Sequence, residues 1–168
     1  MSAVQITLYA AKIRGGIIDY SIKIERVMDY YIAHRFCKGD AGLTIGMMEL
    51  MLSTNRIIFD EKRQIMEFLV DEYDPDYKKR NPTLFNDLER RIIPKRNFFA
   101  HQMLLSDEEA QQNFKERIGF LVFKGNKRKK IWVAKKEISE LLNLLGKTYL
   151  ALVKENQLLR DSLKKDNP

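Results

Sequence analysis

An arginine, an amide and an imidazole stand close together in the run Lys95-Arg96-Asn97-Phe98-Phe99-Ala100-His101. On a helix, Asn97 and His101 lie one turn apart on the same face. Arg96 is five positions before His101, a rise of about 7.5 Å and an angular offset of about 140° that a long side chain can bridge. An imidazole exchanges protons near neutral pH. A guanidinium is always charged, and its fork matches two phosphate oxygens. The amide can orient the histidine or a substrate. Together the three suit RNA cleavage by the ribose 2′-hydroxyl, with His101 assisting proton transfer and Arg96 stabilising charge on the pentacoordinate phosphorus. The plainer alternative is a surface helix whose arginine pairs with an acid and whose histidine is solvated.

The remaining chemistry-bearing residues are few. His34 sits at the edge of an early helical stripe beside Arg35 and Phe36, and a structural or solvated role is expected for it. Two histidines 67 positions apart and one cysteine, Cys37, make no zinc-ligand set, so neither metal nor cofactor is expected. Cys37 reads as a small, partly buried apolar side chain.

The formal net charge is +7, and Lys124, Lys127, Arg128, Lys129, Lys130, Lys135 and Lys136 put seven cations into one acid-free segment. Asp71, Glu72, Asp74 and Asp76 form an acidic patch elsewhere. That asymmetry points to a polyanionic partner. Lys95, Lys127, Arg128, Lys129 and Lys130 are the candidate RNA contacts. Trp132 and Phe123 are expected to pack rather than stack on bases.

A chain of 168 residues is long enough for one core, and residues 1–168 read as a single helical domain. No apolar run approaches the roughly 20 residues of a membrane span. The start, Met1-Ser2-Ala3-Val4-Gln5, lacks the pattern of a secretory leader, so a cytoplasmic location is expected.

Several elements must position the patch. Ile17, Ile24, Val27, Met28, Tyr31 and Ile32 recur at helical spacing, with Arg14-Gly15-Gly16 expected to break or bend that helix. Residues 38–42 read as a loop, followed by an apolar segment from Leu43 to Leu52 closed by Ser53-Thr54-Asn55. Asp60 is the expected N-cap of the next helix, and Tyr73 to Arg80 is expected to be a loop around Pro75. Asn81-Pro82 should start a helix that Pro94 kinks or interrupts, with Lys95 to Leu105 helical beyond it. Ser106-Asp107-Glu108-Glu109 reads as a capping box. Ile118 to Phe123 and Ile131 to Ala134 flank Gly125-Asn126, which predicts a β-hairpin over about 117–134. Ile138, Leu141, Leu145, Tyr149, Leu152, Leu159 and Leu163 mark a long amphipathic helix with a frayed tail at 164–168. The expected fold is mostly α: a helical bundle with a small hairpin inserted before its last helix.

The run Arg96-Asn97-Phe98-Phe99-Ala100-His101 resembles the signature of the HEPN family (higher eukaryotes and prokaryotes nucleotide-binding domains). In that signature a polar residue follows the arginine, and the four residues found here between arginine and histidine fall within its range of spacings. The segment from Ile24 to Ile32 is similar to the first core helix of many members. The resemblance spans residues 17 to 165, with its specificity confined to the six-residue motif. It implies a metal-independent endoribonuclease of the toxin or antiviral-defence type. Arg96 and His101 would be catalytic and Asn97 supporting, in a homodimer whose motif helices face each other. A nucleotidyltransferase-like antitoxin is the implied inhibitor. Some members are non-catalytic interaction or nucleotide-binding modules, which is the alternative function. Pro94, directly before the motif, and the basic hairpin set this chain apart from a plain member.

Overall fold

The computed structural model describes residues 2–54, 56–125 and 127–166. Ser2 opens the first helix: its N–H donates to Gln5 Oε1 (3.1 Å) and its hydroxyl accepts from the Gln5 N–H (3.4 Å). Helix α1 (Ala3–Phe36) then runs unbroken for 34 residues. It buries Ile6, Ile13, Ile17, Ile24, Met28 and Ile32 along one stripe. The expected break at Gly15-Gly16 is absent. A Cβ at Gly16 would lie 3.6 Å from Leu142 Cδ2, so this turn packs closely on the last helix. That packing outweighs the weak helix propensity of glycine, about 1 kcal/mol per residue.

Lys38 (φ 49°) and Gly39 (φ 81°) turn the chain back through left-handed backbone that favours glycine. Asp40 then caps α2 (Ala41–Met47), its Oδ1 accepting from the Leu43 N–H at 2.8 Å. The loop expected over 38–42 is therefore shorter, because Ala41 and Gly42 are already helical. A π-turn, Met48–Leu52, extends α2; Asn55 lies outside the described residues.

Helix α3 (Phe59–Tyr73) starts one residue before Asp60, which sits inside the first turn and accepts from Arg63 Nε at 2.7 Å. The N-terminal donor of Ile58 is satisfied instead by Glu61 Oε2 at 2.9 Å. The expected loop at Tyr73 to Arg80 is corrected to α4 (Pro75–Arg80). Pro75 occupies the first turn, where its missing N–H costs nothing, and fully buried Tyr77 anchors the helix. Asn81 closes this helix rather than opening the next. Its Nδ2 donates to Glu155 Oε1 at 2.8 Å.

Helix α5 (Leu84–Asp87) passes through a π-turn, Leu88–Ile92, into α6 (Ile93–His101). The carbonyl that the Pro94 ring would meet belongs to Arg90, inside the wider π-turn, so the helical run continues across the proline. It ends at His101, not Leu105: Gln102 is extended, and Met103–Leu104 form a short strand, β1. Asp107, rather than Ser106, caps α7 (Glu108–Asn113). The hairpin forms as β2 (Arg117–Lys124) and β3 (Lys127–Ala134), and β1 joins it to give the antiparallel order β1-β2-β3. Gly125 (φ 58°) lies at its turn, and Asn126 is outside the described residues. Helix α8 (Lys135–Asp166) continues through the expected frayed region as far as Asp166; Asn167 and Pro168 are outside the described residues.

The chain is thus mostly helical, with a small antiparallel sheet ahead of the last helix. Helices α1 and α8 run side by side and in parallel, since Lys135 meets Tyr9, Leu142 meets Gly16 and Leu163 meets Gly39. Asn156 Nδ2 donates across the seam to the Val27 carbonyl at 2.7 Å. Buried charges are paired. Glu155 accepts from Arg80 Nη2 at 2.7 Å and from Asn81, while Lys62 Nζ lies 2.8 Å from Glu25 and 3.1 Å from Asp29. Among the described residues no helix is long and apolar enough to cross a membrane.

Burial pushes the Asp29 carboxyl up to about 6, with Lys62 pulling the other way. A folded-state value above the unfolded one means that the carboxylate opposes folding at neutral pH. This cost is relieved as pH falls through about 6 toward the unfolded value. Urea unfolding at pH 7.5 and 5.5 should therefore show Asp29→Asn removing a stability gain that wild type makes on acidification. An equal change in both proteins would contradict the assignment.

Candidate active site

The motif residues ride on α6, whose inward side carries buried Phe99 and half-buried Phe98. Both rings meet Phe120 of β2 edge-on, at centroid distances of 5.4 and 5.1 Å, and they meet each other at 5.4 Å. This aromatic cluster fixes α6 against the inner face of the sheet. The outward side carries Pro94, Asn97, Ala100 and His101, all exposed. Asn97 and His101 therefore share a solvent-facing surface one turn apart.

Arg96 lies at the boundary of this surface, half-buried. Its Nη1 donates to Asn97 Oδ1 at 3.0 Å, while its Nε is buried without a hydrogen-bond partner. The fold thus joins Arg96 to Asn97 directly. Among the described residues no hydrogen bond links His101 to either, so its imidazole remains available to solvent. Lys95 is exposed and lies 3.8 Å from Glu137 Oε2, a loose pair with a neighbour on α8.

The pairing register relates the basic hairpin to this surface. Met103 pairs with Leu121 and Leu104 with Phe120, so the chain leaving α6 approaches β2 from the side of Val122 and the hairpin tip. Strand alternation then separates the cations. Lys127 and Lys129 share a face with Ile131 and Val133, whereas Arg128 and Lys130 share the other face with Trp132. All four cations are exposed, but they are not equivalent. Lys130 Nζ is held by Asp107 (3.0 Å) and Glu109 (2.5 Å). Arg128 lies over the Phe123 ring at 5.7 Å. Lys127 and Lys129 have no carboxylate partner among the described residues.

Trp132 packs as expected. Arg117 lies 5.1 Å over its ring, and a Cβ on Gly119 would come within 2.8 Å of the indole. Phe123, by contrast, is 55% exposed near the tip. The acidic patch is largely consumed locally: Asp71 pairs with Lys78, Asp74 with Arg80 and Asp76 with Lys79. Among the described residues, no three His, Cys, Asp or Glu side chains are grouped to hold a metal ion.

One contributor was not legible from the sequence. Arg14, on α1, reaches 88 positions along the chain and donates through Nη2 to the carbonyl of Gln102, the residue after His101. Its guanidinium lies 5.6 Å over Phe120, and burial lowers its pKa from the ordinary value. A cation at the C-terminal end of α6 satisfies a carbonyl that the ended helix leaves open and complements the helix dipole. Arg14 therefore positions the His101 end of the motif helix. The available signal was a charged residue beside two glycines within an apolar stripe, which reads as a break when taken alone.

No protein-family model matches the chain, and neither a curated protein nor a solved structure matches it.

Replacing Arg14 by Gln should cost about 1–3 kcal/mol, the range for a buried, charge-assisted hydrogen bond to the backbone. Urea denaturation measures this directly. A cost below about 0.5 kcal/mol, the level of an ordinary surface substitution, would remove Arg14 from its positioning role.

Proposed function

We propose that this chain is a HEPN-like, metal-independent endoribonuclease of the toxin or antiviral-defence type, acting in the cytoplasm. The observation that carries the reading is the exposed face that Asn97 and His101 share on α6, with Arg96 hydrogen-bonded to Asn97 at its flank. The cationic hairpin, docked on the same helix through Phe98, Phe99 and Phe120, supports an RNA substrate.

In this proposal the RNA phosphate lies against the Arg96 guanidinium. His101 takes the proton of the adjacent ribose 2′-hydroxyl, and the 2′-oxygen attacks phosphorus. The bond from phosphorus to the 5′-oxygen breaks, and a protonated imidazole returns a proton to that oxygen. The products are a 2′,3′-cyclic phosphate and a 5′-hydroxyl end, so atoms and charge balance without a redox partner. Two copies facing each other through α6 would bring two His101 imidazoles to one cleft, which provides both a proton acceptor and a proton donor. Arg96 stabilises the charge that grows on the equatorial oxygens. Asn97, by holding Arg96, keeps the guanidinium directed at that position. Lys95, Lys127, Arg128 and Lys129 contact flanking phosphates, with Lys130 contributing less because Asp107 and Glu109 already neutralise it. A nucleotidyltransferase-like antitoxin is the partner that would silence the enzyme.

A second reading, a non-catalytic interaction or nucleotide-binding module, is favoured by one observation. Asn97 Oδ1 is already engaged by Arg96, which leaves His101 without an orienting partner in the single chain.

Cleavage of mixed RNA in EDTA separates the two. Wild type should cut, with His101→Ala slower by about 10²- to 10⁴-fold, the usual contribution of a general acid–base group. Equal, negligible cutting by two folded, dimeric proteins would favour the module instead.

The hairpin has its own test. Each phosphate contact to single-stranded RNA contributes about 0.7 to the slope of log affinity against log salt. The triple change Lys127→Gln, Arg128→Gln and Lys129→Gln should flatten that slope by about 2, and Lys130→Gln by much less. An unchanged slope in the triple variant would take the hairpin out of RNA binding.

A further inference from the structure

A sizeable cavity lies away from the motif. It lies between the C-terminal half of α1, the start of α2 and the last turns of α8, and holds about 990 Å³. Its lining among the described residues comes from 27–45 and 153–164, away from α6 and from the described hairpin residues. The volume is at the upper end of the range of small-molecule sites, about 300–1,000 Å³. The cavity follows from the turn at Lys38 and Gly39, which folds α2 back while α8 continues past it. A Cβ on Gly39 would sit 3.5 Å from Leu163, so the turn closes one end.

The walls are apolar but incompletely covered. Tyr30 is 49%, Ile45 57% and Val153 40% exposed, and Val27 and Leu163 lie in the same lining. Tyr30 and His34 hold their rings nearly parallel, 24° apart with centroids at 6.4 Å, forming a flat aromatic wall.

The charge is one-sided. Arg160 and Lys164 line the cavity, and neither has an ion-pair or hydrogen-bond partner among the described residues. Arg63, Arg80 and Arg91, by contrast, each bind a carboxylate. Among the described lining residues the acid is Asp40, whose Oδ1 is occupied by the Leu43 N–H. Burial and the nearby Arg160 charge lower the pKa of His34, which favours its neutral form. Two polar atoms in the wall, Asn156 Oδ1 and His34 Nδ1, are buried and lack hydrogen-bond partners.

We infer that this cavity binds a small organic anion with an apolar body, such as an aryl or alkyl carboxylate. The acidic head lies on Arg160 with Lys164 beside it, and the body covers Val27, Tyr30, Ile45, Val153 and Leu163. Thr44, Asn156 Nδ2 and Gln157 of the lining are already engaged by the Asp40 carbonyl, the Val27 carbonyl and Asp161, which suits such a ligand better than a nucleotide, whose base and ribose ask for several hydrogen bonds. This site is independent of the ribonuclease reading and would stand if that reading fell.

The probe is anilinonaphthalene sulfonate, an aromatic anion whose fluorescence rises in apolar surroundings, with neutral N-phenylnaphthylamine as its uncharged counterpart. Wild type should bind the sulfonate saturably at one site per chain. Arg160→Gln changes an exposed residue and should weaken that binding by about ten- to a hundredfold while leaving the neutral probe within about twofold. Val153→Trp fills the cavity and should abolish both. Dodecanoate should displace the sulfonate. Non-saturable binding, sulfonate affinity unchanged in Arg160→Gln, or displacement by adenosine monophosphate but not by dodecanoate would each overturn the proposal. Circular dichroism of both variants verifies that they are folded.

Discussion

The parallel seam between α1 and α8 is the contact on which the other elements depend. Two helices of 34 and 32 residues give the molecule its length, and neither could bury its apolar stripe alone. The seam is continuous, from Tyr9 and Lys135 at one end, through Gly16 and Leu142, to Gly39 and Leu163 at the other. Parallel packing of chain-terminal helices requires the intervening hundred or so residues to travel back along the pair. That return is made by α3 to α6 and by the sheet, each of which docks where α1 or α8 offers a partner. Lys62 of α3 reaches Glu25 and Asp29 of α1; Arg80 and Asn81 reach Glu155 of α8.

The motif surface is built by the same economy. Phe99 and Phe98 turn inward to Phe120, so the opposite side of α6, with Asn97 and His101, must face solvent. Arg14 ties the end of that helix back to α1. The π-turn ahead of Pro94 lets the helical run pass the proline, so α6 arrives in register with its aromatic residues inward. A proline that could have redirected Arg96 instead sits in a helix whose course is set by the residues around it.

Charge is sorted by depth. Buried ions, Lys62, Asp29, Glu155 and Arg63, are all engaged with opposite charges or amides, as desolvation demands. Lys127 and Lys129 on the outer hairpin, and Arg160 and Lys164 at the mouth of the α1–α2–α8 cavity, stand outside these pairs. Even within the hairpin, strand alternation makes Lys130 part of an ion-pair network while Lys127 and Lys129, on the opposite face, stay outside it.

The sequence by itself determined the features that rest on local periodicity. Helical spacing in Ile17 to Ile32 and Ile138 to Leu163, the strand pattern at 117–134, and the shared face of Asn97 and His101 all depend on backbone geometry within a few turns. Tertiary structure decided where that local signal was weak or divided. The turn at Gly16 stays helical where α8 packs against it; Pro75 to Arg80 is helical because Tyr77 has a buried place to go; Met103 and Leu104 become a strand because β2 offers an edge. The Arg14 tie and the cavity are absent from any local pattern, since each joins residues about a hundred positions apart. The physical reason is one of scale. Local preferences differ by about 1 kcal/mol per residue, whereas burying one large apolar side chain is worth about 1.5–3 kcal/mol, so distant contacts prevail wherever the two disagree.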